Sequence, residues 1–305
     1  TNVSVDIWAS DSIKPLLDQQ KITDYKITPK TGRASITKSY LESHPNKYLK
    51  LIAKARQLDK LHNTFVTSIL KFVHKGRIHA DINQIRSDTG GTVTGRFSMS
   101  NPNLQQIPAR TEQGNKIREL FLPEEDHKWA SFDYSQQEPR LVVHYALKNN
   151  FYGADKMAEE YNKNPDTDFH DIVAKMADIT RKQAKTINLG LFYGMGNKKL
   201  AGELGLDMDQ ANELFNNYHS KVPFVKELSR QVSHVASTRG YVKTLLGRKR
   251  RFDLWEPRDE WGQKAYPWSE ASAKYHKQEL KRAYTHTALN ALIQGSSADI
   301  TKAAM

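Results

Sequence analysis

The sequence predicts an α+β fold in which helices dominate, on three observations. Residues 48–73, YLKLIAKARQLDKLHNTFVTSILKFV, carry apolar side chains at helical spacing. Residues 75–107 are rich in Gly, Ser, Thr and Asn, which suits short strands and loops. From residue 181 onward the pattern is mainly helical, with one strand-and-turn interruption, RGYVKTLLGRKRRFDL, at 239–254.

The elements follow in order. Residues 1–47 are mixed, with turn signals at Pro29, Gly32 and Pro45. In the long helix Leu51, Ala55, Leu58, Leu61, Phe65, Ile69 and Phe72 fall on one face, which makes it a rod of about 39 Å. Lys50, Lys54 and Lys60 lie on its polar side. Residues 127–134 read as a buried strand and 136–148 as the helix that follows. Asp166, Thr167 or Asp168 can cap a helix starting near Phe169. The last helix is expected from about Ser269 to the end. No internal repeat and no low-complexity tract interrupts this order.

Composition bounds the function. The 305 residues are 38% hydrophobic and 26% charged, enough for two or three structural units around a sizeable core. No apolar run approaches the roughly 20 residues of a membrane helix. The start, TNVSVDIWAS, is not a signal peptide and lacks an initiating Met, so the chain is expected to be part of something longer or a processed product. The absence of cysteine excludes disulfides and thiolate metal sites. A net charge of +12 favours a polyanionic partner, because each neutralised phosphate releases counterions.

Two stretches carry chemistry. SFDYSQQEPR, residues 131–140, ends a strand-like run in Asp133. A carboxylate at a strand end can cap a turn, or it can hold a hard cation together with the Tyr134 carbonyl. Ser135 and Glu138 have capping-box spacing, although Pro139 argues mildly against a regular helix start. RKQAKTINLGLFYG, residues 181–194, sets Arg181, Lys185, Leu189 and Tyr193 four apart on one helix face. Such a stripe is either an ordinary amphipathic edge or a track for a polyphosphate, with a base or sugar at the apolar end. Gly190 and Gly194 allow close approach of a backbone or ligand.

Together these stretches resemble family A DNA polymerases, the group of the bacterial repair polymerase and many phage replicases. DYSQQEPRL is similar to the family's first palm motif and RKQAKTINLGLFYGM to its fingers helix. TVTGRFSMSNPNLQQIPAR is similar to the segment that grips primer–template, and NALIQGSSADITKAAM to the palm helix after the fingers. The motifs stand in the family's order from about residue 40 to residue 305.

The resemblance implies a right hand with thumb at 1–74, first palm part at 75–149, fingers at 150–240 and second palm part at 241–305, the palm being incomplete at its C-terminus. It implies template-directed DNA synthesis from deoxynucleoside triphosphates by a two-metal mechanism with two Mg²⁺ ions. Asp133 would bind both metals and the Tyr134 carbonyl one. Gln136, Glu138, His170, Arg181, Lys185, Leu189 and Tyr193 would contact the nucleotide, with Glu138 as a steric gate against ribose and Lys185 also catalytic, protonating pyrophosphate. Arg96, Asn103, Gln105, Asn290 and Gln294 would hold primer–template DNA, partly through the minor groove, whose acceptors are similar in all correct pairs.

Two departures qualify this. Leu189 stands where familiar members have Phe or Tyr, so altered dideoxynucleotide use is expected. The family's third motif, His-Asp-Glu on a palm hairpin, is missing, and with it the second metal carboxylate. A partial chain, a polymerase split over two chains or a degenerate relic would each account for it, and a second chain or segment could complete the palm. These residues alone are expected to polymerise poorly. The alternatives are a non-catalytic DNA-binding module and a single-subunit RNA polymerase, against which Glu138 argues. A cytoplasmic location in a bacterial host, near the nucleoid, is expected, and the bare EPR variant points to a phage source.

Overall fold

The computed structural model describes residues 5–28, 31–88, 90–109, 111–192, 195, 197–259 and 263–305. The chain forms two compact units, one of residues 1–82 and 99–129, the other of residues 83–98 and 130–305. Among the described residues no helix is long and apolar enough to cross a membrane.

The first unit begins with α1 (Ser10–Gln19), whose Ile13 and Leu17 are fully buried. Strands β1 (Lys26–Ile27) and β2 (Ala34–Ser35) form a small antiparallel pair. Thr37 caps α2 (Lys38–Ser43), and Asn46 caps α3 (Lys47–Lys60) by accepting from the Tyr48 and Leu49 amides. The helix continues through a π-helical stretch, Leu61–Thr67, into one last turn, α4 (Ser68–Leu70). The expected single apolar face does not survive. Leu51 and Leu58 are 59% and 47% exposed, while Leu49 and Ile52 are buried. Phe65 and Ile69 are buried in a different cluster, with Ile107. The wider π turn shifts the angular phase, so the two halves bury different stripes. The rod also ends before Phe72, because Val73 already belongs to β3 (Val73–His74), hairpinned to β4 (Arg77–Ile78). Short strands β5 (Asp81–Asn83) and β6 (Ser98–Ser100) lie where the chain leaves and re-enters this unit. Helix α5 (Glu112–Glu119) is capped by Thr111.

The second unit is helical around one large core. It holds α6 (Gln137–Lys148), α7 (Ala154–Lys163), α8 (Phe169–Ala177), α9 (Arg181–Phe192), α10 (Asn197–Leu204), α11 (Met208–Lys221) and α12 (Pro223–Arg239). The hairpin of β7 (Tyr241–Lys243) and β8 (Lys249–Arg251) follows, where the strand-and-turn interruption was expected. Phe169 sits at the centre of the core, with ring centroids 6.2 Å from Phe192 and 6.5 Å from Phe224. Gly190 lets α9 pack on α10, since a Cβ there would lie 2.7 Å from a Leu200 methyl. A side chain, rather than another backbone or a ligand, takes that space.

Two expected elements are corrected. Residues 127–134 form no strand: they are exposed, and Phe132 is 95% exposed. A strand exists through its ladder, and no described residue pairs with this segment, so its extended-looking sequence has nothing to dock on. The helix expected from Ser269 to the end is two helices, α13 (Trp268–Lys274) and α14 (Ala288–Ala304). Between them β11 (Leu280–Arg282) pairs with β9 (Leu254–Pro257), which also pairs with β10 (Tyr266–Pro267). Trp255 on β9 meets the Trp268 ring at 4.6 Å and the Arg282 guanidinium at 4.5 Å. Those aromatic and cation–π contacts come from residues distant in sequence and override local helical periodicity.

Candidate active site

The α8–α9 corner is built from caps and forks. Asp168, one of three candidate caps, is the one used. Its Oδ1 accepts from the His170 and Asp171 amides at 2.7 and 3.2 Å. Its other oxygen accepts from the Arg181 guanidinium at 2.6 Å, while Arg181 Nε reaches Asp171 at 3.1 Å. Burial pushes the Asp168 carboxyl up, but the Arg181 hydrogen bond and the two amides outweigh it and leave it below its ordinary range. The same pairing raises Arg181. Lys185 is exposed one turn later and Leu189 half-buried another turn on, so the expected stripe forms over these three. Tyr193 and Gly194 lie outside the described residues.

His170 is buried beside this stripe. Its Nδ1 accepts from Asn188 Nδ2 at 3.0 Å, and Asn188 Oδ1 accepts from the Tyr218 hydroxyl at 2.5 Å. Burial lowers the His170 pKa, Asp168 opposes the shift, and Arg181 and Lys185 add to it. Asp171, Asn188 and Tyr218 are what residue spacing missed; for Asp171 the acid after the FH of DFHD was the available signal.

At the start of α6 the expected capping box is absent. Gln136 is the N-cap, in a left-handed conformation with φ 52°, and makes no side-chain cap bond to α6. Its amide instead donates to the Thr167 carbonyl and accepts from the Phe169 N–H, both at 2.8 Å, which ties α6 to α8. Glu138 pairs with Arg96, 42 residues upstream, bringing together two residues assigned to nucleotide and DNA. Positive φ at Gln136 turns the chain out of capping geometry, and the Arg96 charge takes the carboxylate.

Asn290 and Gln294 lie four apart on one face of α14, both half-buried, and Asn290 Oδ1 is a buried oxygen without a partner among the described residues. Arg248 anchors this helix: it bonds Asp299 at 2.9 Å and the carbonyls of Thr94 and Gly295 at 2.6 and 3.0 Å. A Cβ at Gly295 would sit 2.9 Å from that guanidinium. Asn103 and Gln105 belong to the first unit, where Asn103 Oδ1 accepts from the Gln105 amide at 3.2 Å. Asp133 and Tyr134 are exposed. Among the described residues no group of three His, Asp or Glu could hold a metal. One carboxylate beside a peptide carbonyl fits a Mg²⁺ ion that takes its remaining ligands from phosphate and water, and falls short of a two-ion cage.

Residues 6–305 match the family model described as DNA polymerase family A. A DNA-directed DNA polymerase of Pseudomonas phage M6 is 37% identical over 98% of this chain and 49% of its own length. DNA polymerase DpoZ of Acinetobacter phage SH-Ab 15497 is 38% identical over 73% of this chain and 41% of its own. The POL domain of Pol1 from M. smegmatis, solved in complex with DNA primer-template and dNTP, superposes with a TM-score of 0.75 at 29% identity, over 99% of this chain and 50% of that one. The chain thus spans about half the length, or less, of the relatives it matches. Its ordered motifs, its helix-rich α+β architecture and these matches make it a member of the family A DNA polymerases.

Proposed function

We propose that this chain carries the nucleotide-binding part of a DNA-directed DNA polymerase, with primer–template DNA and deoxynucleoside triphosphates as its ligands. The observation that carries this reading is the α8–α9 corner, where Asp168 accepts from the amide of buried His170 and from the Arg181 guanidinium, with exposed Lys185 one turn along α9. Arg181 offers a fork and Lys185 a point charge to the triphosphate. The primer 3′-hydroxyl gives up its proton to solvent, its oxygen bonds to the α-phosphorus as the bond to the bridging oxygen breaks, and Lys185 supplies a proton to the departing pyrophosphate. Glu138, held by Arg96, crowds the 2′ position, and Leu189 and Tyr193 flank the sugar and base. Gln136 acts by fixing the α6–α8 junction. Arg96, Asn103, Gln105, Asn290 and Gln294 face the DNA, and the unpartnered Asn290 oxygen suits an acceptor role toward a base-edge amino group. The first unit would contribute the thumb, and the second palm and fingers.

Asp133 and the Tyr134 carbonyl would hold Mg²⁺, which when bound neutralises charge on the phosphates. Activity would need a further carboxylate, because among the described residues no group of three His, Asp or Glu could hold a metal. The exposed Phe132 ring suits a covering palm segment, supplied by a longer chain or a second one. The relatives' phage origin supports a phage-encoded protein working in a bacterial cytoplasm.

Primer extension with Mg²⁺ and four deoxynucleotides tests the reading. It compares this chain, the chain joined to a segment bearing a His-Asp-Glu hairpin, and the joined form with Asp133→Ala. Activity only in the joined wild type is expected, with a loss on the order of 10³-fold in Asp133→Ala. Robust activity in the chain alone would mean that another carboxylate here completes the site. Silence in all three with DNA still bound would favour a non-catalytic DNA-binding module.

A further inference from the structure

We infer that Asn188 and Tyr218 are positioning residues that lock His170 in the tautomer with its proton on Nε2, making the ring a donor to a nucleotide phosphate. The inference rests on the reading of His170 as a phosphate contact. The three residues come from α8, α9 and α11, and His170, Asn188 and Tyr218 are 8%, 0% and 0% exposed. Tyr218 Oη meets one face of the Asn188 amide at 2.5 Å and His170 Nδ1 meets the other at 3.0 Å.

Only one assignment satisfies every group. If Asn188 Oδ1 faces Tyr218, the hydroxyl donates to it, and Nδ2 donates to a bare Nδ1. If the amide is reversed, its NH₂ meets the Tyr218 oxygen. The hydroxyl proton then has no acceptor among the described residues, in a fully buried place where an unmade bond is expensive. The first arrangement therefore holds, and it leaves the single proton of a neutral imidazole on Nε2. That nitrogen has no protein partner among the described residues.

The tautomer matters because the surroundings of the ring disfavour its charged form. Burial and the neighbouring cations Arg181 and Lys185 oppose a second proton, against the pull of Asp168 and Asp171. A neutral ring with Nε2 protonated donates to a phosphate oxygen. The other tautomer turns a lone pair toward that oxygen and repels it. Tyr218, which touches no nucleotide in this reading, thus sets the sign of the His170 contribution through one amide.

The test uses the 305-residue chain, ¹⁵N-labelled at histidine, and Mg·dATP as probe. In wild type the His170 Nδ1 signal should show an unprotonated nitrogen and Nε2 a protonated one. Tyr218→Phe should give mixed tautomers and weaken dATP about 3–10-fold, the range of one buried hydrogen bond. Asn188→Asp, which can only accept, should move the proton to Nδ1 and weaken binding further. In a His170→Ala background neither change should cost more. Circular dichroism checks that each variant folds, and Asn188→Asp serves if Tyr218→Phe does not. A protonated Nδ1 in wild type overturns the tautomer lock whatever the affinity. Unchanged binding in a folded Tyr218→Phe or Asn188→Asp, where His170→Ala weakens it, overturns the positioning role alone. No dATP binding by wild type, or none lost in His170→Ala, removes the phosphate contact itself and the inference with it.

Discussion

At the α8–α9 corner Asp168 accepts two amides and a guanidinium, Arg181 spans two carboxylates, and His170 hangs on an amide held by a buried tyrosine. Asp133 sits on a segment with no ladder, next to a phenylalanine that is 95% exposed. Both regions serve the same proposed chemistry. One is held in place by groups within 50 residues of it, and its side chains arrive oriented before any ligand does. The other has its residues but not its support. Retaining the reactive residue types is thus separable from retaining the packing that positions them.

The largest expected effect breaks the ordered side of that comparison. Phe169→Ala removes the ring at the core centre and should cost about 3–5 kcal/mol in the second unit, read by denaturant unfolding. Amide exchange should accelerate across α8 and α9 and stay fast and unchanged over 127–134. Equal acceleration in both would mean that the two regions share their support.

A second, smaller effect is set by pH. Burial first, then Lys226, lowers the His219 pKa from 6.5 to about 4, and its Nδ1 is a buried atom without a partner among the described residues. A group whose folded pKa is depressed stabilises the fold above its unfolded pKa. That contribution fades as pH falls from 6.5 toward 4, because the unfolded chain takes up the proton first. His219→Gln should flatten this slope by on the order of 1 kcal/mol, allowing for solvent screening of a partly exposed ring. Thermal melts between pH 7 and 4.5 measure it, and an unchanged slope would assign the acid sensitivity to other groups, such as His170, whose pKa burial also lowers.

The smallest effect probes specificity at the apolar end of the stripe. Leu189→Phe should alter sensitivity to dideoxynucleotide termination in the joined polymerase, while dNTP incorporation changes little. Identical termination ladders would show that this position does not read the sugar here.

Local signals were legible. The Asp168 cap and the Arg181–Lys185–Leu189 stripe each depend on contacts within one or two turns, which spacing encodes. What spacing missed is decided over distance. Glu138 looked like a cap because Ser135 is close in sequence, but Arg96 takes its carboxylate. Residues 127–134 looked like a strand because they lean apolar and end in an acid, yet a strand needs a neighbour. Leu51 and Leu58 had helical spacing, but a π-helical stretch later in the rod splits its stripe, and no local pattern announces that phase shift.

The Arg248 anchor has a consequence for the order of synthesis. Arg248 bonds the Thr94 carbonyl 154 residues upstream, and Ser296 on α14 bonds Tyr145 on α6 across 151. A ribosome adding about 5–20 residues per second leaves α6 waiting roughly 8–30 s for the helix that completes its packing. Leu141, Val142, Val143 and Ala146 are buried in the finished unit and uncovered on that side in the nascent one. Until α14 has left the exit tunnel, that apolar side is open to hydrophobic-binding chaperones.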